Sequence, residues 1–188
     1  MVVMDTRTAL LDAAEYAARA RGFDGFSYAD LAEVVGIRKA SIHYHFPAKA
    51  DLALALIERY AVRFFEALDQ IVVDQPTGGA RLNAYVAVCR AALAGGEQLC
   101  LCIAFSAGRD GLSNEVLTKL DAFHVTVGIW LTEIFATGQQ DRSIADVGDC
   151  SEEAQACLAQ MEGAQLIARA AKDVSRFDAA VAGLLRRV

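Results

Sequence analysis

Between Ile37 and Ala50 the chain concentrates basic and aromatic side chains and contains no acidic residue. Such side chains carry N–H and O–H donors, which are the groups that contact nucleic-acid phosphates and base edges. The spacing fits a short helix, since Ile42 and Phe46 are four residues apart and can both point inward. The stretch therefore indicates DNA contact by the outward donors, which are Arg38, Lys39, His43, Tyr44, His45 and Lys49.

Two short helices around a tight turn would have to position these donors. Ser27 can cap the first helix, with Asp30 three residues later completing a capping box. Gly36 would end that helix, because glycine accepts the left-handed conformation common at helix C-termini. The second helix is predicted over Lys39–His45 and is followed by Pro47, which cannot continue it. The pattern is a helix-turn-helix, although two core helices of another all-α protein would look similar.

The region from Leu10 to Leu56 closely resembles the N-terminal domain of TetR-family transcriptional repressors. Arg38 is a departure, since the family often has a small polar helix cap there. The matching pieces are Arg21-Gly22-Phe23 after an alanine-rich first helix, Phe26-Ser27, Leu31-Ala32, the Gly36-Ile37 turn, His43-Tyr44-His45-Phe46 and Lys49.

The resemblance implies an all-α repressor that binds a palindromic operator as a dimer and is released by a small-molecule effector. The helix-turn-helix DNA-binding domain would span 1–48, and a helical bundle for effector binding and dimerisation would span 49–188. By resemblance, Tyr44 and Lys49 contact phosphates, whereas Lys39, Ala40 and His43 face base edges. The full set of candidate DNA contacts is Ser27, Tyr28, Arg38, Lys39, Ala40, His43, Tyr44, His45 and Lys49.

Composition limits the class of protein. A hydrophobic content of 55% with two prolines indicates a compact, mostly helical chain. The net charge is −6, and the first 51 residues hold six Lys+Arg against seven Asp+Glu, so DNA affinity must come from a local patch. The five cysteines show no disulfide-like regularity, and the longest uncharged runs of eleven residues are too short to span a bilayer. We therefore expect a soluble cytoplasmic protein with reduced thiols.

Periodicity predicts seven helices besides the motif, and several of their ends carry recognisable signals. Ser113 and Ser151 are predicted to cap helices seven and eight. Helix six is predicted to contain both Cys100 and Cys102. The predicted ranges are Asp5–Arg21, Lys49–Val73, Ala80–Leu93, Glu97–Ala107, a helix to about Thr137, a helix after Asp149 and a last helix from about Asp173.

The last two helices are the candidate dimer interface. Helix eight offers small residues that permit close approach, and helix nine offers a narrow apolar stripe at spacings of four, three and four. Such a stripe could equally pack within the monomer, so the assignment rests on the family resemblance. The candidate interface residues are Leu158, Met161, Phe177, Val181 and Leu184.

Aromatic residues on helices four to seven are the candidate effector lining, because these helices surround the effector cavity in the family. The segment after Cys100 also resembles TetR-type repressors that sense electrophiles through a cysteine at that position. Those repressors have a lysine where this chain has Arg169, and an arginine could favour a thiolate without forming the same nitrogen–sulfur bond. A buried structural cysteine is the alternative. The candidate set is Phe64, Tyr85, Cys100, Phe105, Phe123, Trp130 and Arg169.

Catalytic motifs are not recognisable in this sequence, which has no GxSxG, no P-loop and no metal-ligand helix motif. His43 and His45 point about 200° apart on a helix and cannot chelate one metal. We therefore expect no enzyme activity, no cofactor and no metal. Two alternatives remain: a small cysteine- or metal-dependent protein using Cys100, Cys102 and His124, or a helical protein-interaction module.

Overall fold

The computed structural model describes residues 5–188, which form nine α-helices and no β-strand. The predicted all-α fold class is confirmed. Residues 1–4, which belong to the predicted domain 1–48, lie outside the described residues. In the described part of the chain, no single helix combines the length and apolarity needed to cross a membrane. The helices are α1 (Thr6–Arg21), α2 (Tyr28–Val35), α3 (Lys39–His45), α4 (Lys49–Asp74), α5 (Gly78–Ala91), α6 (Leu101–Ala107), α7 (Asn114–Asp141), α8 (Cys150–Ala171) and α9 (Ser175–Leu185).

Two compact units share the described chain, and their segments alternate along the sequence. The first unit comprises residues up to Val62 together with Leu101–Asp121, and the second comprises Arg63–Cys100 and Ala122–Val188. This division does not coincide with the boundary predicted after residue 48. The reason is that the first half of α4 belongs to the N-terminal core, where Leu52 and Leu56 are fully buried.

An ion-pair cluster joins α1 to α4 within the first unit. Arg59 donates from Nη1 to Asp12 at 2.7 Å and from Nη2 to Glu15 at 2.9 Å. Glu15 is buried, so the guanidinium compensates a carboxylate that would be costly to bury alone. Sequence patterns did not reveal this cluster, because its partners are 44 and 47 positions apart.

Helix α6 begins at Leu101, not at Glu97 as the sequence predicts. The dipeptide Gly95-Gly96 has φ values of 73° and 93°, which take the backbone out of the right-handed helix. The backbone N–H of Cys100 then donates to Oε1 of Gln165 at 3.0 Å, where a helical residue would donate to a carbonyl four residues earlier. Cys100 therefore precedes α6 and is held against α8.

The starts of α8 and α9 depend on aspartates that the sequence analysis did not assign. Asp149, not Ser151, caps α8, since its Oδ1 accepts the N–H groups of Ser151 and Glu152 at 2.9 and 3.0 Å. Asp173 accepts the N–H of Ser175 in the same way at 2.9 Å, just before α9. Carboxylates are favoured at these positions because they also interact with the positive end of the helix dipole.

Arg187 follows α9 and ties the C-terminus to the α7–α8 loop. Its guanidinium makes two 2.8 Å bonds to the carboxylate of Glu153. It also donates to the carbonyl oxygens of Ala145 and Asp146, at 3.1 and 2.9 Å. The hydrogen bonds that Glu153 accepts from Arg187 hold the pKa of its carboxyl below the ordinary value.

In the second unit, α5 and the end of α7 approach each other backbone to backbone. A Cβ on Gly78 would overlap the backbone of Gly138, and a Cβ on Gly79 would overlap the carbonyl of Ser143. Gly138 in turn packs directly under the side chain of Ile144. These glycines are required by close approach and not by an unusual φ angle.

Candidate nucleic-acid interface

The predicted capping box of α2 is confirmed. Ser27 Oγ accepts the N–H groups of Ala29 and Asp30, at 3.2 and 3.4 Å, while the Ser27 N–H donates to Asp30 Oδ2 at 2.6 Å. The backbone and hydroxyl donors of Ser27 hold the pKa of the Asp30 carboxyl below its ordinary value. Gly36 ends the helix in the predicted left-handed conformation. The start and the end of α2 are thus both fixed by local chemistry.

Helix α3 has one buried face and one exposed face. Ile42 is fully buried, and Phe46 is buried just after the helix. On the opposite side Lys39 and His43 are exposed, and Tyr44 is 83% exposed. Arg38 and Ala40 are exposed as well, whereas His45 is half-buried with its ring 5.1 Å from that of Tyr44. The side chains of Lys39, His43 and Tyr44 on α3 are therefore exposed to a ligand.

Tyr28, a candidate DNA contact by sequence, lies on the inside of this unit. Its side chain is buried, and its hydroxyl lies 2.9 Å from the carbonyl oxygen of Phe46 and 2.8 Å from that of Ala48. Burial, with a smaller contribution from Asp51, raises the pKa of Tyr28 to about 12. The phenol is thus a neutral donor that fixes the α3–α4 turn, and it has no second proton to offer a phosphate.

Lys49 also turns inward. Its ammonium donates to the carbonyl oxygen of Phe26 at 2.8 Å and lies 4.7 Å from the ring centroids of both Phe23 and Phe26. This arrangement combines a charge-assisted hydrogen bond with two cation–π contacts. In this conformation Lys49 connects α4 to the segment before α2, and one of its three N–H donors is already in use.

His43 is held from two sides while its ring remains exposed. Its Nδ1 lies 3.2 Å from the carbonyl oxygen of Pro47, and its ring lies 5.0 Å from that of Tyr28 with an interplanar angle of 65°. Tyr28 therefore orients both the turn after α3 and an outward side chain on α3. Neither role was evident from sequence, because a tyrosine just after a helix cap carries no distinctive spacing.

Four of the predicted effector residues lie in the second unit. The rings of Phe64 and Phe123 are 5.1 Å apart, and those of Tyr85 and Trp130 are 5.6 Å apart. The indole N–H of Trp130 is buried without a hydrogen-bond partner in the described part of the chain. A fifth residue, Arg169, is half-buried in the last turn of α8.

Phe105 does not join this group, because α6 belongs to the first unit. It is fully buried, and its ring lies 5.2 Å from that of Phe23. Phe23 in turn contacts the Lys49 ammonium. Phe105 therefore supports the core beneath the helix-turn-helix.

The cysteines are mostly buried thiols. Cys100 and Cys102 are both buried, and only Cys102 lies on α6, because Cys100 precedes that helix. Burial raises the pKa of Cys157 to about 12 and that of Cys89 further. Cys150 is the most exposed of the five. Among residues 5–188, no three His, Cys, Asp or Glu side chains are grouped as metal ligands.

Four of the five candidate dimer residues are already buried within one chain. Met161, Phe177, Val181 and Leu184 are buried where α8 packs against α9, so they cannot contribute area to an interface. Leu158 is half-buried. The physical reason is that the apolar stripe of α9 is needed to attach this short helix to its own unit.

Comparison with known proteins agrees with this geometry. Residues 10–56 match the family model of the bacterial regulatory proteins of the tetR family. The transcriptional repressor NemR of Escherichia coli strain K12 is 24% identical over 184 residues, which cover 95% of this chain and 91% of NemR.

Solved structures extend the similarity to the whole fold. A TetR-family transcriptional regulator from Agrobacterium tumefaciens superposes with a TM-score of 0.91 at 28% identity, covering 97% of each chain. The reduced form of E. coli NemR superposes with a TM-score of 0.81 at 23% identity, covering 97% of this chain and 96% of NemR. The helix-turn-helix motif, the match of residues 10–56 to the tetR family model and the shared fold agree, and the chain is similar to TetR-family regulatory proteins over nearly its whole length.

Proposed function

We propose that this protein represses transcription by binding a palindromic DNA operator as a homodimer, and that a small-molecule effector releases it. The outward face of α3 carries the proposal, because its exposed polar side chains include Lys39, His43 and Tyr44 and no carboxylate. Repression is the activity named for NemR, which is similar over nearly the whole chain. Such a protein acts in the cytoplasm, where bacterial DNA lies.

In the proposed complex, α3 enters the major groove. Lys39, Ala40 and His43 face base edges, while Arg38 and Tyr44 contact phosphates. Ser27 and His45 flank these contacts. Tyr28 and Lys49 support these contacts indirectly. Tyr28 fixes the turn after α3, and Lys49 fixes the start of α4. Lys49 retains two N–H donors that can reach a phosphate without breaking its bond to the Phe26 carbonyl.

The proposed dimer interface is the outer face of α8 and α9. Leu166 and Ile167 are large apolar side chains on one helix and are 43% and 55% exposed. The same face holds small residues that permit close helix approach, and a Cβ on Gly163 would meet nothing within 4 Å. Ala159, Ala170, Ala179 and Gly183 are also exposed on these two helices.

The proposed effector is a small, partly apolar molecule bound in the second unit beside Phe64, Tyr85, Phe123 and Trp130. The buried indole N–H of Trp130 supports a ligand with a hydrogen-bond acceptor, because an unpaired buried donor costs about 1–3 kcal/mol. Cys100 and Arg169 are the further candidates in this unit. Release requires that the effector bind the DNA-competent and released conformations with different affinity.

Sedimentation and DNA binding test the proposal together. We expect the wild-type protein to be a dimer that shifts a palindromic fragment selected from random double-stranded DNA. Leu166→Glu with Ile167→Glu should give folded monomers that no longer shift it. Leu184→Glu is the contrasting variant, since it should unfold the second unit by burying a charge. A wild-type monomer, or a dimer that enriches no DNA sequence, would contradict the proposal.

A further inference from the structure

The hydrogen bond between His43 and Pro47 determines which ring nitrogen of His43 carries the proton. Nδ1 lies 3.2 Å from the Pro47 carbonyl oxygen, within hydrogen-bonding distance. A carbonyl oxygen can only accept, so Nδ1 must be the donor. In the neutral imidazole the other nitrogen, Nε2, is then unprotonated and acts as an acceptor.

The imidazole ring is also fixed in orientation. Its edge-to-face contact with Tyr28 has a centroid distance of 5.0 Å. Tyr28 is itself held by the carbonyl oxygens of Phe46 and Ala48, which belong to the same turn as Pro47. Rotation of His43 would therefore break both the Pro47 bond and the ring contact. With Nδ1 facing the turn, Nε2 is on the solvent side of an exposed residue on the outward face of α3.

We infer that His43 is a specificity-determining residue whose neutral Nε2 accepts a hydrogen bond from the exocyclic amino group of adenine or cytosine in the major groove. This inference rests on the proposed DNA-binding function. In the major groove only adenine N6 and cytosine N4 present amino donors, whereas guanine presents the acceptors O6 and N7. A histidine with the opposite tautomer would donate from Nε2 and favour guanine.

Protonation should reverse this preference. Doubly protonated imidazole donates from both nitrogens, so Nε2 would then favour the guanine acceptors. Charged groups near the ring in the sequence or beside its contacts lie on α3 and α4. Lys39 lies one turn earlier on α3, and Asp51 on α4 interacts electrostatically with Tyr28. Tyr28 stays neutral over the relevant range, because its pKa is about 12.

Two substitutions separate the inward nitrogen from the outward one. His43→Asn places an amide N–H near the position of Nδ1, so it can keep the Pro47 bond while removing Nε2. His43→Gln carries its amide to the distance of Nε2 and can bond adenine at both N6 and N7. Because residue 43 is exposed, both variants should fold, and thermal unfolding of each provides the check.

The first test selects binding sites from random double-stranded DNA with the full-length protein at about pH 8 and at about pH 5.5. The wild-type protein should prefer adenine or cytosine about three- to tenfold at one symmetric position of each half-site at the higher pH. The preference should move toward guanine at the lower pH. His43→Asn should lose it at that position alone, and His43→Gln should favour adenine at both pH values.

Each outcome has a distinct meaning. If the wild-type protein enriches no palindrome, the proposed function fails and the inference fails with it. If a palindrome is enriched but His43→Asn retains every base preference, the inference is wrong and the proposed function stands.

A second measurement needs no DNA. Nitrogen-15 NMR of the imidazole rings distinguishes the two neutral tautomers, and comparison with His43→Asn identifies the His43 signals. The expected result is a proton on Nδ1. A proton on Nε2 in the neutral form would overturn the inference.

Discussion

Replacing Tyr28 with phenylalanine separates a structural role from a direct DNA contact. If the hydroxyl fixes the turn after α3, Tyr28→Phe should lower the stability of the DNA-free protein. If instead it contacts a phosphate, stability should be unchanged and only DNA affinity should fall. Tyrosine and phenylalanine have the same ring, so the packing of residue 28 against His43 should not change.

The expected magnitude follows from the two acceptors of the Tyr28 hydroxyl. The Phe46 carbonyl, 2.9 Å away, is buried, so losing its donor leaves an unsatisfied polar group that costs about 1–3 kcal/mol. The Ala48 carbonyl, 2.8 Å away, is part-buried, and water can replace the lost donor there. We therefore expect a loss of about 1–2 kcal/mol in unfolding free energy. For a chain of this length that corresponds to a fall of about 2–8 °C in Tm.

Thermal and urea unfolding without DNA measure this change. Tyr16→Phe is the matched control. Tyr16 is 61% exposed, so removing its hydroxyl should change the unfolding free energy by less than about 0.5 kcal/mol. The raised pKa of Tyr28 adds a signature in alkali. The contribution of the neutral Tyr28 hydroxyl to the unfolding free energy is fully present below the unfolded-state pKa of 10 and is lost as pH rises toward the folded-state pKa of about 12. An unchanged Tm for Tyr28→Phe, combined with weaker DNA binding, would refute the structural assignment.

The remaining predictions concern other contacts. Lys49→Met should destabilise the DNA-free protein by about 1–2 kcal/mol, because it removes a charge-assisted hydrogen bond and two cation–π contacts. Lys39→Met should instead leave urea unfolding unchanged and weaken DNA binding, and equal stability of the two variants would contradict this division. Arg187→Gln should destabilise the protein by about 1–2 kcal/mol at neutral pH. The pKa of Glu153 is lowered in the folded protein, so the stability difference between wild type and Arg187→Gln should shrink as pH falls below the ordinary value of 4.5. A stability difference that stays constant down to pH 3 would show that the Arg187–Glu153 ion pair does not cause it. Finally, a maleimide should alkylate Cys150 before the buried thiols, as peptide mass spectrometry can show, and earlier labelling of another cysteine would indicate local opening.

Local signals in the sequence predicted local structure well. The bounds of Lys39–His45, the Ser27 capping box and the Gly36 terminus depend on residues within a few positions of one another, and all three are confirmed. The inward direction of Ile42 and Phe46 follows from the same helical periodicity. These features need no knowledge of the tertiary fold.

Sequence patterns are insufficient where a distant partner decides the conformation. Cys100 leaves the helical pattern because its N–H bonds to Gln165, 65 positions later. The apolar stripe containing Phe177 and Val181 could pack against α8 or a second chain, and periodicity cannot distinguish these surfaces. Family resemblance predicts that Lys49 contacts a phosphate, yet its ammonium packs on the rings of Phe23 and Phe26, which lie more than twenty positions earlier in the chain.

The contact between α5 and α7 has a consequence for mutational scanning. Gly78, Gly79 and Gly138 meet other backbone or side-chain atoms with no room for a methyl group, so even alanine should be rejected there. Gly163, with open space around its Cα, should accept alanine. A saturation screen for loss of repression would therefore report these glycines as intolerant as the residues proposed to read DNA. Intolerance at Gly78, Gly79 and Gly138 would reflect the close packing around α5 and the end of α7, and it would not indicate ligand contacts.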